Sequence, residues 1–410
     1  MRSPGIRYVW HLIIPLWRTM TDTLISSPAG VLAALATVTS FFFYLEKKTG
    51  WRSFNYFPPL LFIYLTPVIL SNISIIPSGS SVYDFMGDII LPMFLVILLL
   101  RVDIRTTVKV MGRGVFVMLL GTVGVMIGAP LAFFLVKHGL GPESWKAYGA
   151  LAGSWIGGTA NMVAVGHMVK LDESSVEFGY AVIADNAVYL IWLPIMLGSK
   201  NIAGWFHKFT KVSSDRLAQM EELAREAVEE KQPTEMRHFL YLALIGFAGT
   251  ALAAWISMML PTIDPYLSAG TYKILLVTFI GIGLSFTKAS KIPGSHELAM
   301  ALVYLFVARI GAKADLSNLS VSVLWFLLGA YIWIFIHGFV LVLGARIFKV
   351  DVHTAAIASA ANIGGAASAP IVAAYHRPGL VPVSILMALL GYAIGTPAAY
   401  VTVLLCGLLA

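Results

Sequence analysis

Two glycine pairs and one acidic residue are the strongest candidates for chemistry in this 410-residue chain. Residues 156–161 read Ile-Gly-Gly-Thr-Ala-Asn, and residues 363–368, which lie 207 positions later, read Ile-Gly-Gly-Ala-Ala-Ser. Over 156–170 and 363–377 the ungapped match has 5 identities in 15. Glycine-rich breaks at matching places in two apolar halves are typical of transporter binding sites. The sequence therefore predicts two related halves whose breaks form one site.

The glycine pairs bring backbone groups and small polar side chains to membrane depth. Glycine adopts backbone angles that other residues avoid, so a helix can end and restart there. Exposed amides carry positive partial charge and suit a carboxylate, whereas exposed carbonyls suit a cation. The residues that we predict to bind a solute are Ser154, Gly157, Gly158, Asn362, Gly364, Gly365 and Ser368. The alternative is that these small residues only permit close helix packing.

Asp185 follows the first glycine pair and lies in the middle of an apolar segment, beside Asn186. An ionisable side chain at that depth costs at least about 2.5 kcal/mol, so it usually faces a polar cavity or an ion. Asp185 could ligate sodium, as the metal ligand of the site, or carry a proton. The predicted ion-binding residues are Asp185, Asn186, Thr159 and Asn161. The alternative is an aspartate that is hydrogen bonded for structural reasons alone.

The second half has no acid at the corresponding place, near Gly391 and Tyr392. The chemistry of the two halves is therefore expected to differ. We expect the first half to couple the ion, and the second half to complete the solute pocket.

The composition requires a bilayer. Mean hydropathy is +0.82, with 58% hydrophobic and 12% charged residues, which is not a soluble composition. Backbone amides in lipid need internal partners, so the long apolar runs predict an all-α polytopic protein of the bacterial cytoplasmic membrane. The net charge is +7, and the basic residues cluster between the apolar runs. This pattern indicates cytoplasmic loops, and we expect no nucleic-acid partner. A single cysteine, Cys406, excludes a disulfide framework.

The chain divides into four predicted regions. Residues 1–27 form an N-terminal interfacial segment, and 28–199 form a first repeat of six apolar segments. Residues 200–238 are a polar cytoplasmic linker, and 239–410 form a second repeat of six segments. This organisation predicts two structural repeats, each with one Gly-Gly segment that is broken or re-entrant.

Basic residues distinguish two topologies. If all twelve segments cross, the side that holds the N-terminus and the linker has 16 Lys and Arg, against 12 on the other side. If segment five (146–169) and segment eleven (354–376) re-enter instead, the side that holds the linker has 19 Lys and Arg against 9. The second arrangement gives five crossings per half, so the repeats become inverted. We expect that arrangement, and broken crossing helices remain the alternative.

The stretches 153–161, 184–186 and 361–365 resemble the YjcL-like membrane proteins, the family of domain of unknown function 819. The similarity runs from about residue 28 to the C-terminus. That family resembles the superfamily of sodium–proton antiporters and bile-acid and glutamate–sodium symporters. The resemblance implies inverted repeats, a scaffold domain, a mobile core domain and a homodimer. The antiporters have an acidic pair, or Asn followed by Asp, where this chain has Asp185-Asn186, so only Asp185 inherits that role.

These observations predict an ion-coupled secondary transporter of a small, carboxylate-bearing solute that works by alternating access. Sodium or a proton is the expected coupling ion, with no other cofactor, and the expected partners are the lipid bilayer and the solute. One alternative is a cation–proton antiporter in which Asp185 is the carrier. Another is a membrane sensor or scaffold that does not transport. Enzyme motifs are absent, since His296-Glu297 lacks the second histidine of a zinc protease.

Overall fold

The computed structural model describes residues 23–51, 54, 59–171, 175–213, 220, 222–223, 233–263, 268–314 and 321–410. The predicted N-terminal segment therefore lies mostly outside the described residues, as does much of the predicted linker. Within the described ranges the chain is helical. Eight helices precede the linker region: α1 Pro28–Thr49, α2 Pro59–Asn72, α3 Ser81–Leu99, α4 Ile104–Met111, α5 Arg113–Val136, α6 Ser144–Gly157, α7 Thr159–Met168 and α8 Val176–Gly198.

Eight further helices follow: α9 Ala203–Thr210, α10 Met236–Ser257, α11 Ala269–Ser285, α12 Ser295–Lys313, α13 Ser322–Phe348, α14 Val352–Ile363, α15 Gly365–His376 and α16 Val381–Gly407. The predicted apolar segments correspond to these helices. Segments five and eleven are each divided in two, into α6 with α7 and α14 with α15.

Within the described part of the chain, eight helical stretches are long and apolar enough to cross a membrane. They include α1, α3, α5, α8, α10, α12, α13 and α16. Two shorter apolar helices, α2 and α11, have 14 and 17 residues. Since a bilayer core of about 30 Å needs roughly 20 helical residues, with a range of about 17–25, the eight longer stretches fit a multi-pass membrane protein, whereas α2 is shorter than that range.

The helices pack in two groups. Helices α1, α2, α3, α10, α11 and α12 contact one another and form the first group. Helices α5 to α8 and α13 to α16 form the second group, in which α5 packs along α13 and α6 packs along α16. Fewer contacts join the groups, mainly between α11 and α7 and between α11 and α16. The space between the groups holds the candidate site.

Each glycine pair ends one helix and starts another. Gly158 separates α6 from α7 with φ 77° and ψ 177°, and Gly365 starts α15 with φ 58°. Residues with a side chain rarely adopt such positive φ angles, which accounts for glycine at these two positions. The helices on the two sides of each break then lie close together. A Cβ on Gly153 of α6 would be 2.8 Å from the carbonyl oxygen of Asn161 in α7.

One end of the helices, the basic end, comprises segments 100–113, 199–213, 286–295 and 346–353. Contacts bring these segments together. The Arg105 guanidinium lies 5.7 Å from the centre of the Phe286 ring, and the Arg346 guanidinium lies 5.7 Å from that of Phe209. The basic end therefore collects loops from both halves of the chain.

The opposite end is joined by different contacts. Lys137 Nζ donates to the carbonyl of Leu409 over 2.6 Å, and Thr271 Oγ1 donates to that of Met168 over 3.0 Å. Because Met168 ends α7, the first helix pair returns to this opposite end. The second pair, α14 with α15, begins and ends at the basic end.

Candidate functional site

A cavity of about 1040 Å³ lies between the two helix groups. Helices α1 and α12 supply one wall, and α6, α7, α8, α15 and α16 supply the other. Its volume is at the upper end of the range that binds small molecules, about 300–1,000 Å³. The polar and charged lining residues are Thr39, Ser40, Glu46, Ser154, Thr159, Asp185, Asn186, Tyr189, His296, Glu297, Tyr304, Ser368 and Tyr392.

The two glycine breaks meet at the wall of this cavity. A Cβ on Gly365 would lie 3.9 Å from the Cα of Gly158, although the two residues belong to different halves. The Tyr392 ring covers both, at 3.2 Å from a Cβ on Gly158 and 3.8 Å from one on Gly365. Helices α7 and α15 both start here, so two helix N-termini with positive partial charge adjoin one cavity. Such an arrangement can stabilise a carboxylate.

Asp185 faces the same cavity from the middle of α8. Ser154 Oγ donates to Asp185 Oδ2 over 2.8 Å, and Trp155 Nε1 donates to Oδ1 over 3.0 Å. Both donors lie on α6, just before the first break, and both are neutral. Asp185 is therefore oriented without a cationic partner in these contacts, so its charge remains available to a sodium ion or a proton.

Eight predicted residues line the cavity: Ser154, Gly158, Thr159, Asp185, Asn186, Gly364, Gly365 and Ser368. The structure brings them together from α6, α7, α8 and α15, across both halves of the chain. Asn186 also donates from Nδ2 to the Val182 carbonyl of its own helix over 2.8 Å. Their binding roles stay predictions.

Three predicted residues are placed in helix packing and do not line the cavity. Asn161 Nδ2 donates to the Tyr392 carbonyl over 3.0 Å, and Asn362 Nδ2 donates to that of Met118 over 3.1 Å. Gly157 packs tightly, because a Cβ there would collide with Asn161 and lie 2.6 Å from the carbonyl oxygen of Gly391. These contacts hold the breaks together, and the ion role expected for Asn161 and the solute role expected for Asn362 and Gly157 stay predictions.

The cavity wall includes residues for which the sequence predicted no role. Tyr392 lies 207 positions after Asp185, so the offset between the glycine pairs marks its place but not its contact with both breaks. Glu46, Glu297 and Tyr304 come from α1 and α12, the wall opposite the breaks. No repeat or motif marks those positions, and only the packing of the two helix groups brings them to the site.

The cavity is acidic. Of the described residues on its wall, Asp185, Glu46 and Glu297 are acidic, His296 is the histidine, and none is Lys or Arg. Glu46 lies in the last turn of α1 and Glu297 in the first turn of α12, both toward the basic end. Opposite charges attract strongly where water is excluded, so this wall favours a solute or ion with a positive group.

Comparison with known proteins agrees with a membrane location. The profile of the family described as "Protein of unknown function (DUF819)" matches residues 33–409. A protein of Bacillus subtilis (strain 168), described as "Uncharacterized membrane protein YjcL", is 26% identical over 339 residues, which cover 80% of this chain and 84% of that protein. The profile match includes both glycine breaks and Asp185, so the candidate site lies within the part shared with the family.

Proposed function

We propose that this chain, which belongs to the DUF819 family, is an ion-coupled secondary active transporter of a small solute. One observation carries the proposal. Glycine breaks from the two halves meet beside the carboxylate of Asp185 on the wall of a cavity between two helix groups. Breaks of this kind bind substrates and coupling ions in secondary transporters.

The topology that fits this function has five crossings and one re-entrant hairpin in each half. The crossings would be α1, α2, α3, α5 and α8, then α10, α11, α12, α13 and α16. Helices α6 and α7 would enter and return at the opposite end, and α14 and α15 at the basic end. Contacts support the hairpins: His353 Nδ1 lies 3.0 Å from His376 Nδ1, whereas a continuous helix would place residues 23 apart about 35 Å from each other. An odd number of crossings makes the repeats inverted.

The solute that suits the cavity carries a carboxylate and a positively charged group, as amino acids and small peptides do. The N-termini of α7 and α15 would accept the carboxylate. Glu46 and Glu297 would favour the positive group, and Asp185 would hold sodium or a proton. A solute with negative charge alone would meet acidic side chains without a compensating Lys or Arg among the described wall residues.

Alternating access follows from the unequal packing of the two groups. The cavity extends toward the basic end, where Glu46 and Glu297 lie. Beyond Asp185 the groups meet along an apolar seam that includes Tyr64, Phe178 and Val307 and retains a void of only about 10 Å³. We assign this shape to a state that is open toward the basic end. Movement of the second group against the first would open the seam and close the cavity.

A cation–proton antiporter is the second candidate. Asp185 is the acidic residue that the second helix group contributes to the described wall, so it could carry both ions in turn. In that case the acidic wall would attract the cation, and no organic solute would be required.

Purified protein with substitutions at two acidic positions tests the proposal. Thermal stability is measured against a panel of amino acids, small peptides and dicarboxylates, with and without sodium, at pH 6 and pH 8. We expect stabilisation by a zwitterionic solute that depends on sodium or on acid pH, and loss of this dependence in Asp185→Asn.

Asp88→Asn is the matched control, because Asp88 is exposed and pairs with Lys273 over 3.7 Å. It should behave as the wild type. Ion dependence that survives in Asp185→Asn would refute the assignment of Asp185. Stabilisation by the cation that is the same with every solute, together with release of protons, would support the antiporter.

A further inference from the structure

Three histidines, of which two are buried and one is half-buried, form a cluster at the basic end, away from the cavity. His353 lies in the first turn of α14, His376 ends α15 and His207 belongs to α9. His353 and His376 are only 6% and 3% exposed, and their Nδ1 atoms are 3.0 Å apart. The His207 ring centre is 5.9 Å from that of His353. One hydrogen bond thus joins the two ends of the second helix pair.

The partners of this bond fix where its hydrogens lie. His376 Nε2 is 2.9 Å from the carbonyl oxygen of Met196, which can only accept, so Nε2 carries the hydrogen. In neutral His376 the other nitrogen, Nδ1, is then an acceptor. His353 Nδ1 must be the donor. The bond therefore requires a neutral His376, whereas an extra proton on His353 Nε2 would leave its donor in place.

The surroundings oppose additional positive charge. Lys200 Nζ donates to the Tyr375 carbonyl over 2.7 Å, and Arg377 directly follows His376. Asp351 is the acidic group of the cluster, and Thr354 engages both of its oxygens, through N over 2.8 Å and Oγ1 over 2.7 Å. Four titratable or charged groups face the histidine pair. They are His207 on α9, Lys200 in the segment after α8, Asp351 just before α14 and Arg377 just after α15.

We propose that His353 and His376 form a proton-operated clamp on the second helix pair. With His376 neutral, the clamp holds the end of α15 against the start of α14. A proton on His376 Nδ1 replaces the acceptor with a second donor, so two N–H groups face each other and the bond is lost. Acid at the basic end thereby releases α15. Because α15 also carries Gly365 and Ser368 on the cavity wall, release would loosen that wall, a step that rests on the proposed function.

The clamp is tested without any solute, by hydrogen–deuterium exchange of the full-length protein in lipid nanodiscs at pH 7.5 and pH 5.0. Rates are corrected for the intrinsic effect of pH. We expect exchange in 352–376 to be about tenfold faster at pH 5.0 in the wild type, with residues 144–168 unchanged, since one buried hydrogen bond is lost.

Two variants separate donor from acceptor. His376→Gln keeps an N–H for the Met196 carbonyl but offers no acceptor at the Nδ1 position, so exchange should be fast at both pH values. His353→Asn keeps a neutral donor, so 352–376 should stay protected at pH 7.5 and open at pH 5.0. The control His138→Gln, at an exposed position of the opposite end, should match the wild type.

Equal wild-type exchange at the two pH values would overturn the clamp. The same acid response in His376→Gln, or an equal rise in 144–168, would also overturn it, because acid would then act elsewhere or on the whole protein. None of these results depends on transport. A failed solute screen and a failed clamp are therefore distinguishable.

Discussion

At the scale of single residues, Asp185 depends on two neutral donors that precede the first break. The sequence alone shows that Asp185 lies in an apolar segment, and it also predicts Ser154 as a residue of the site. Trp155 was not singled out, because tryptophan in a membrane helix usually packs or marks the interface. Its Nε1 reaches Asp185 only through the packing of α6 on α8. The Trp155 ring is buried and lies 4.3 Å from that of Trp333, which holds the donor in place.

Trp155→Phe should remove one donor from the carboxylate and keep most of the ring packing. A hydrogen bond to a charged group contributes about 1.5–3 kcal/mol, and a neutral pair about 0.5–1.5 kcal/mol. The matched variant is Trp192→Phe, since Trp192 Nε1 donates to the neutral Ser359 Oγ over 2.9 Å. We expect a larger fall in thermal stability for Trp155→Phe, and altered sodium or pH dependence only there. Equal falls with unchanged ion dependence would contradict the role of Trp155.

His337 shows how a polar residue in a membrane helix can be fully paired. Its Nδ1 is 2.9 Å from the Gly121 carbonyl oxygen, so it carries the hydrogen, and its Nε2 accepts from Ser359 Oγ over 3.0 Å. Ser359 in turn accepts from Trp192. The hydrogen bonds from Trp192 to Ser359, from Ser359 to His337 and from His337 to Gly121 can all form when His337 is neutral. Ser359, near the second break, therefore ties α8 and α13 to α14.

At the scale of elements, the two breaks differ in geometry although their sequences match. The sequence predicts that each Gly-Gly pair interrupts a helix, and both do. It does not reveal which glycine needs a positive φ or that Gly157 is required by packing. Those features depend on Tyr392, Asn161 and Gly391, which reach the breaks from elsewhere in the fold. The sequence likewise does not reveal that Asn161 and Asn362 donate to the backbone carbonyls of Tyr392 and Met118.

Gly158→Ala should destabilise the protein more than Gly365→Ala. At φ 77° and ψ 177°, Gly158 lies in a region that is essentially restricted to glycine, with a cost of about 1–3 kcal/mol for other residues. Its Cβ would also press on the Tyr392 ring at 3.2 Å, whereas Gly365 has ordinary contact distances and φ 58°. Gly198→Ala meets open space and serves as the control. Thermal unfolding checks the order, and a larger loss for Gly365→Ala would contradict it.

At the scale of the whole molecule, the sequence predicted membrane spans well because apolar length is a local property. The distribution of Lys and Arg also favours five crossings per half, and that count stays a prediction beside the eight helices of spanning length in the described part of the chain. The cavity wall from α1 and α12 was beyond prediction, since it depends on how two helix groups pack. The acidic character of the site therefore emerged only from the structure.

Sidedness can be measured with single cysteines. Cys406 is buried and is replaced by Ala to give a background without thiols. Glu297→Cys should then be labelled by an impermeant maleimide from the basic end, which the positive-inside rule places in the cytoplasm. His138→Cys, at the opposite end, should be labelled from the other side. Labelling of both from one side would refute the proposed topology.

Tyr392 stands where a repeat with identical halves would place a second aspartate, and this difference has an energetic consequence for the proposed transporter. With Asp185 as the only carrier, one sodium ion or proton would move per cycle, so a zwitterionic solute would travel with one net positive charge. Each elementary charge that crosses the membrane contributes about 2.3 kcal/mol per 100 mV. The membrane potential alone would then support roughly 50-fold accumulation of the solute at 100 mV. The phenol ring of Tyr392, in the place of a second carboxylate, would set that limit.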